Sequence, residues 1–248
     1  MADDAIAFAQ QWETRMDYRD RHVIVTGGTG ALGTATVAAL IDAGAVCHVP
    51  YIDQAEADRF PLRNHANIEF VADVDLSQES SVAKLYATVP KLWASIHIAG
   101  GFAMAPIATT AKSDLMKQVD MNLVTAFLCC RAAVIAMTAT GAGGRILNVA
   151  TRPALEWRAG AGMTAYTATK AAVAALTGAL AEEVVKSGIL VNAIAPSTMD
   201  TPANRTAMPD ADPAAWAKVE DVAATILFLA SPANRVTRGA VVPVYGRG

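Results

Sequence analysis

Tyr166 and Lys170 stand four residues apart in Tyr166-Thr-Ala-Thr-Lys170, a spacing that puts both side chains on one face of a helix. A cation beside a phenol draws the phenol's pKa down from about 10 toward the working pH, which makes a general acid/base. A tyrosine and lysine so spaced are common, and a solvated helix face would explain them equally well, so the rest of the chain must decide. A second cluster helps. His22-Val-Ile-Val-Thr26 runs straight into Gly27-Gly28-Thr29-Gly30-Ala31-Leu32-Gly33, where Gly28, Gly30 and Gly33 form G-x-G-x-x-G between a strand and a helix. Glycines there let the backbone approach a pyrophosphate, and the helix N-terminus offers free N–H groups and partial positive charge. The turn reads as a dinucleotide site. Its usual acidic ribose ligand should follow about 20 residues later, where Tyr51 and Ile52 stand with Asp53 beyond. Neither a carboxylate nor an arginine occupies the expected place, so NAD and NADP stay equally open; Asp53 is either a displaced ribose ligand or a solvated loop residue.

Short apolar runs at 22–26, 45–49, 68–72, 94–98, 144–149, 189–194 and 240–244 read as strands buried on both faces. Helical patterns near 32–43, 77–88, 114–139, 164–187 and 219–230 lie between them, with Gly44 and Gly188 closing two of the helices. This alternation predicts an α/β fold of Rossmann type, doubly wound, with a seven-stranded, mainly parallel sheet and helices on both faces. Residues 1–21, with Ile6, Phe8, Trp12 and Met16 at near-helical spacing, are expected to form an N-terminal helical extension, and 22–248 a single domain.

Composition narrows the partners. Net charge is −3 and hydrophobic residues make up 53% of 248, which supports a large core and leaves no basic patch for nucleic acid. Cys47, Cys129 and Cys130 sit in apolar stretches without metal-ligand spacing and read as reduced core thiols; no metal is expected. No secretory signal pattern opens the chain, and no uninterrupted apolar run approaches a membrane span. A cytoplasmic location and a small-molecule substrate are the resulting expectations.

From residue 22 to 246 the chain resembles the short-chain dehydrogenase/reductase family. The resemblance rests on an ordered set: Thr26-Gly27 to Gly33, Asp73-Val74, Ala99-Gly100, Asn122, Asn148-Val149, Tyr166 with Lys170, and Val191-Asn192-Ala193-Ile194-Ala195-Pro196. It implies an NAD(P)-dependent oxidoreductase in which Tyr166 exchanges a proton with the substrate oxygen as hydride moves to or from nicotinamide. Lys170 would lower the tyrosine pKa and hold the nicotinamide ribose, and Asn122 would support a water-linked proton relay. Asn122 read by itself is a helix-kinking amide. The cofactor contacts implied are Gly27, Thr29, Gly30, Ala31, Leu32 and Gly33 at the turn, Tyr51, Asp73 and Val74 at the adenosine end, and Ala99, Gly100, Gly101, Tyr166, Lys170, Pro196, Thr198 and Thr201 toward the nicotinamide. Asp73 has a competing reading as a turn or capping residue ahead of Ser77.

The chain also departs from the family pattern. Ala150-Thr151 stands where Ser-Ser is usual, and Thr151 lies 15 residues before Tyr166, about two more than usual. Thr151 keeps a hydroxyl that can polarise the substrate oxygen, provided that Arg152 to Arg158 loops outward. His97-Ile98 replaces a pair of asparagines, and His97 is expected to be structural rather than catalytic. Ala31 replaces a glycine, Ser197 stands where glycine is usual, and the ending Val244-Tyr-Gly-Arg-Gly248 lacks Asp-Gly-Gly. The stretch from Pro196 through Trp216 is locally similar to a dihydropteridine-reductase-like subgroup, which implies a rival enzyme using only Tyr166 and Lys170. A catalytically impaired dinucleotide-binding sensor or scaffold is the rival outside catalysis. Residues 198–218 are expected to form a substrate lid, with Trp157 and Trp216 either walling the pocket or packing on nearby loops. The resemblance further implies a homodimer or homotetramer through the two long helices.

Overall fold

The computed structural model describes residues 16–247. The elements follow in order: β1 (His22–Thr26), α1 (Ala31–Asp42), β2 (Val46–Pro50), α2 (Gln54–Arg59), β3 (Ile68–Val71), α3 (Glu79–Ala87), β4 (Leu92–His97), α4 (Lys112–Gln118), one π turn (Val119–Val124) and α5 (Thr125–Thr140). Then come β5 (Gly144–Val149), α6 (Arg152–Leu155), α7 (Thr164–Val184), β6 (Ile189–Pro196), β7 (Met199–Asp200), α8 (Pro202–Ala207), β8 (Ala217–Lys218), α9 (Val219–Ala230) and β9 (Val241–Val244). Seven strands pair in parallel in the order β3-β2-β1-β4-β5-β6-β9. The order reverses between β1 and β4, and the crevice beyond their carboxyl ends is where such sheets bind ligands.

Alternation along each strand sends side chains to two cores. Val23 and Val25 join Leu147 and Ile194 beneath α1 and α9, where Leu40, Val222 and Ile226 close the layer. Ile24 points the other way, with Ile146 and Val191, toward Leu85 of α3, Met137 of α5 and Val184 of α7. Burial on both faces is why these strands read as continuous apolar runs rather than alternating ones. The three cysteines are free and buried, Cys47 in the first core and Cys129 and Cys130 in the second.

The strands of the large sheet lie within two residues of the expected bounds, while two helical expectations change. The helix expected over 114–139 is interrupted by the π turn at Val119–Val124; its apolar pattern runs on through the interruption and gives no sign of it. The run Lys112–Thr140 is also long and apolar enough, by composition, to cross a membrane. Here its α5 part buries Cys129, Ala133 and Met137 against the sheet. The N-terminal extension falls mostly outside the described residues. Met16 to Arg21 form turns instead of helix, anchored by Tyr18, whose hydroxyl donates to the Leu227 carbonyl at 2.6 Å.

Candidate active site

The glycine turn closes where β1 and β4 part. Gly27 has φ +68°, and a Cβ there would lie 2.6 Å from the Ala99 backbone nitrogen; one on Gly33 would overlap the Gly27 carbonyl oxygen. These two glycines let protein pack on protein. Gly30 differs, since nothing lies nearer than 3.5 Å to the same position. It caps α1 without a side-chain partner for the first N–H groups, so the bare helix start faces an open space edged by Gly30. That arrangement fits a dinucleotide pyrophosphate. Ala31 and Leu32 open α1, with Leu32 buried, and the Thr29 hydroxyl donates to Glu56 Oε2 at 2.9 Å.

At the other end of the crevice's β2 side, Tyr51 and Val74 are joined by backbone: the Val74 N–H donates to the Tyr51 carbonyl at 3.0 Å. Asp73 is exposed and holds φ +58°, a conformation that aspartate tolerates better than most residues. The cap ahead of Ser77 belongs to Asp75, which accepts from the Ser77 N–H and hydroxyl at 2.9 and 2.7 Å, so Asp73 is a turn residue and not the cap. Asp53 caps α2 by accepting from the Ala55 N–H at 2.9 Å. It is a helix cap at the loop, with Oδ1 engaged by that N–H.

On the β4–β5 side the first turns of α7 bring Tyr166 and Lys170 to the carboxyl edge of the sheet. Lys170 is buried, its ammonium donates to the Val149 carbonyl at 2.8 Å, and burial pulls its pKa down to about 8. Burial raises the Tyr166 phenol, and a hydrogen bond with Thr151 works against that rise. The Lys170 ammonium is engaged with the Val149 carbonyl, and the Thr151 hydroxyl donates to the Pro196 carbonyl at 3.5 Å. Phe102 stands edge-on to the Tyr166 ring at 5.0 Å.

The residues between Thr151 and Tyr166 do turn outward, as the short α6 and a 3₁₀ turn at Trp157–Gly160. Trp157 sits on that bulge, 75% exposed, its indole N–H donating to the Ala154 carbonyl at 3.1 Å. Trp216 is half-buried just before β8.

Asn122 lies in the π turn, a local feature that often marks functional sites. Its Oδ1 accepts from the Gly101 N–H at 3.1 Å, while Nδ2 donates to the Gly101 carbonyl at 3.0 Å and to Gln118 Oε1 at 3.1 Å. A Cβ on Gly100 would fall 2.6 Å from Asn122 Oδ1 and 3.4 Å from Lys170 Nζ. The missing side chain at Gly100 therefore leaves room for the Asn122 amide and the Lys170 ammonium on the same side of the loop. Kinking and pinning are two aspects of one role, because the π turn swings the amide onto the loop that follows β4. Sequence reasoning missed Gln118 and Phe102. Gln118 was findable as the residue one turn before Asn122, whereas Phe102 carries no local signal.

Beneath the site runs a buried polar chain. The Thr177 hydroxyl donates to the Val173 carbonyl at 2.8 Å, so it accepts from Asn148 Nδ2 at 2.9 Å, and Asn148 Oδ1 then faces His97 Nδ1 at 2.8 Å. Nδ1 must carry the proton, leaving Nε2 to accept from Ser95 at 2.8 Å, with the Tyr86 hydroxyl 2.6 Å from Ser95. Burial holds His97 at about 4, hence neutral. His97 has a partner on each nitrogen, as a structural histidine should.

Past β6, which ends on Pro196, the Thr198 carbonyl accepts from the Ala217 N–H at 3.1 Å and Thr201 caps α8 by accepting from Asn204. Pairing of β7 with β8 straps the expected lid segment at its base. Ser197 donates to the Tyr245 carbonyl at 2.7 Å, which gives the serine at this position a use that glycine lacks.

A parallel sheet of this order, a glycine turn at its switch point and a Tyr–Lys pair on the adjoining helix define a nucleotide-dependent oxidoreductase. The model of the short chain dehydrogenase family matches residues 21–212. Galactitol 2-dehydrogenase of Rhizobium johnstonii is 32% identical, over 94% of this chain and 96% of its own. L-xylulose reductase of Mesocricetus auratus is 30% identical, over 91% and 95%. A putative NAD(P)-dependent gluconate 5-dehydrogenase from Beutenbergia cavernae, solved with NADP at low occupancy, superposes with a TM-score of 0.83 at 29% identity, covering 94% of this chain and 98% of that one.

The chain belongs to the short-chain dehydrogenase family. It is an NAD(P)-dependent oxidoreductase.

Proposed function

We propose that the protein interconverts a secondary alcohol and its ketone, with Tyr166 as the general acid/base. The observation that carries this reading is the placement of Thr151 and Lys170 at the carboxyl edge of β5, where the Thr151 hydroxyl donates to the Pro196 carbonyl at 3.5 Å and Lys170 is held by the Val149 carbonyl one helical turn after Tyr166. In reduction the Tyr166 hydroxyl gives its proton to the carbonyl oxygen while Thr151 donates a hydrogen bond to the same oxygen; in oxidation both roles reverse. NAD(P), when bound, supplies or accepts the hydride. Gly27, Thr29, Gly30, Ala31, Leu32 and Gly33 would hold its pyrophosphate, and Tyr51, Asp73 and Val74 its adenosine end. Ala99, Gly100, Gly101, Pro196, Thr198 and Thr201 would flank the nicotinamide, whose ribose Lys170 would grip. Asn122 pins Gly101 beside that ribose and would support the water-linked proton relay.

Relatives named for sugars and polyols suggest a hydroxylated substrate. The rim argues otherwise: Phe102 and Met104 are exposed beside Tyr166 and the Gly162 bend, which suits a carbonyl bearing an apolar substituent. Hydroxyl-polarising Thr151 favours this chemistry over a serine-free pterin reductase. Exposed Phe127 and Ile135 on α5 support pairing of the long helices in a homodimer or homotetramer, and the family's habit supports a cytoplasmic enzyme. Tyr166→Phe is expected to keep cofactor affinity while turnover on a panel of polyols and apolar ketones falls by roughly 10³-fold. Undiminished turnover would refute the mechanism.

A further inference from the structure

The usual acidic anchor for the adenosine ribose is missing from the end of β2, where Tyr51 and Ile52 stand. We infer that Glu56 takes its place and makes this an enzyme of NAD(H) rather than NADP(H). The inference rests on the oxidoreductase reading above.

Glu56 lies in the first turn of α2, immediately past the β2 loop, and reaches across to the glycine turn, where its Oε2 accepts from the Thr29 hydroxyl at 2.9 Å. The bridge spans the crevice between the turn that faces the pyrophosphate and the strand end that faces adenosine. A ribose joining those two groups passes the same gap. A carboxylate there can accept hydrogen bonds from a ribose diol. Toward a 2′-phosphate it offers only like-charge repulsion.

Among the described residues no cation is paired with Glu56. Gly30, Tyr51 and Ile52 are uncharged, and Asp53 contributes a second carboxylate at the N-terminus of α2. Arg63 is turned back on Asp58, with Nη1 3.2 Å from its carbonyl and 3.5 Å from its carboxylate. Arg59 follows Glu56 by one helical turn in α2, and no ion pair joins the two among the described residues.

The test is titration of the full chain with NADH and NADPH, followed by nucleotide fluorescence, for the wild type, Glu56→Gln and Glu56→Lys. The wild type should bind NADH about tenfold or more tightly than NADPH. Glu56→Gln should cut that ratio roughly fivefold, chiefly through a gain for NADPH, and Glu56→Lys should invert it. Because Glu56 is exposed, the variants should fold; Thr29→Val, which removes the bridge and keeps the charge, should alter the ratio less than Glu56→Gln. A wild type that prefers NADPH, or a ratio unmoved by Glu56→Gln, overturns the inference and leaves the oxidoreductase reading standing. Failure of either nucleotide to bind the wild type overturns both.

Discussion

The two sides of the crevice are built in opposite ways. On the β1–β2 side the site is made by leaving side chains out: Gly27 and Gly33 let backbone touch backbone, and Gly30 leaves the helix start bare. On the β4–β5 side it is made by packing polar side chains in, from Tyr86 through Ser95, His97 and Asn148 to Thr177, with Lys170 on the next residue of β5. The first side binds through the main chain and should fail by obstruction. The second holds its reactive groups through side-chain partners and should fail by loss of a partner or by a change of protonation.

Three measurements would break or sharpen that contrast. The largest effect belongs to Thr151→Val, which keeps the shape and deletes the hydroxyl; turnover should fall about 10²–10³-fold in steady-state assays with cofactor affinity unchanged. Gly33→Ala should do the reverse. Its methyl would overlap the Gly27 carbonyl, so nucleotide affinity should drop by at least about tenfold and stability by about 1–3 kcal/mol, read by titration and denaturant unfolding. The smallest effect is His97→Asn. Its folded pKa of about 4 lies below the unfolded 6.5, so the unfolded chain binds the extra proton first as the solution is acidified. The stability that His97 contributes is complete above pH 6.5 and drains away as pH falls through 4. Between pH 7.5 and 5 the wild type should therefore lose about 2 kcal/mol more than the variant in urea unfolding. His48, also depressed by burial, should add the same slope to both proteins.

The contrast also explains what a reader of the chain alone can see. Glycine spacing is a local signal, so the turn and the strands around it were visible; so was the Tyr166–Lys170 pair, since four residues on a helix is a local relation too. The polar chain was not. Ser95 and Thr177 look incidental in apolar runs, and only strand pairing between Ser95-Ile96-His97 and Ile146-Leu147-Asn148 brings the partners together. Asp53 leaves two readings open for a related reason: its distance from the glycines suits a ribose ligand, and its use as the cap of α2 shows only once the helix start is in place. The π turn at Asn122 inserts into a helix without disturbing its apolar pattern, and so left Asn122 readable as a residue and unreadable as a bend.

The cysteines add a consequence of another kind. Cys47 lies in the core under α1 and α9, Cys129 and Cys130 in the core under α3, α5 and α7, and burial pushes all three thiols up to about 12. None can react with an alkylating reagent until its own layer opens. The protein thus carries a built-in pair of chemical stopwatches, one on each face of its sheet, and mass spectrometry of partially labelled chains would time the breathing of the two layers separately.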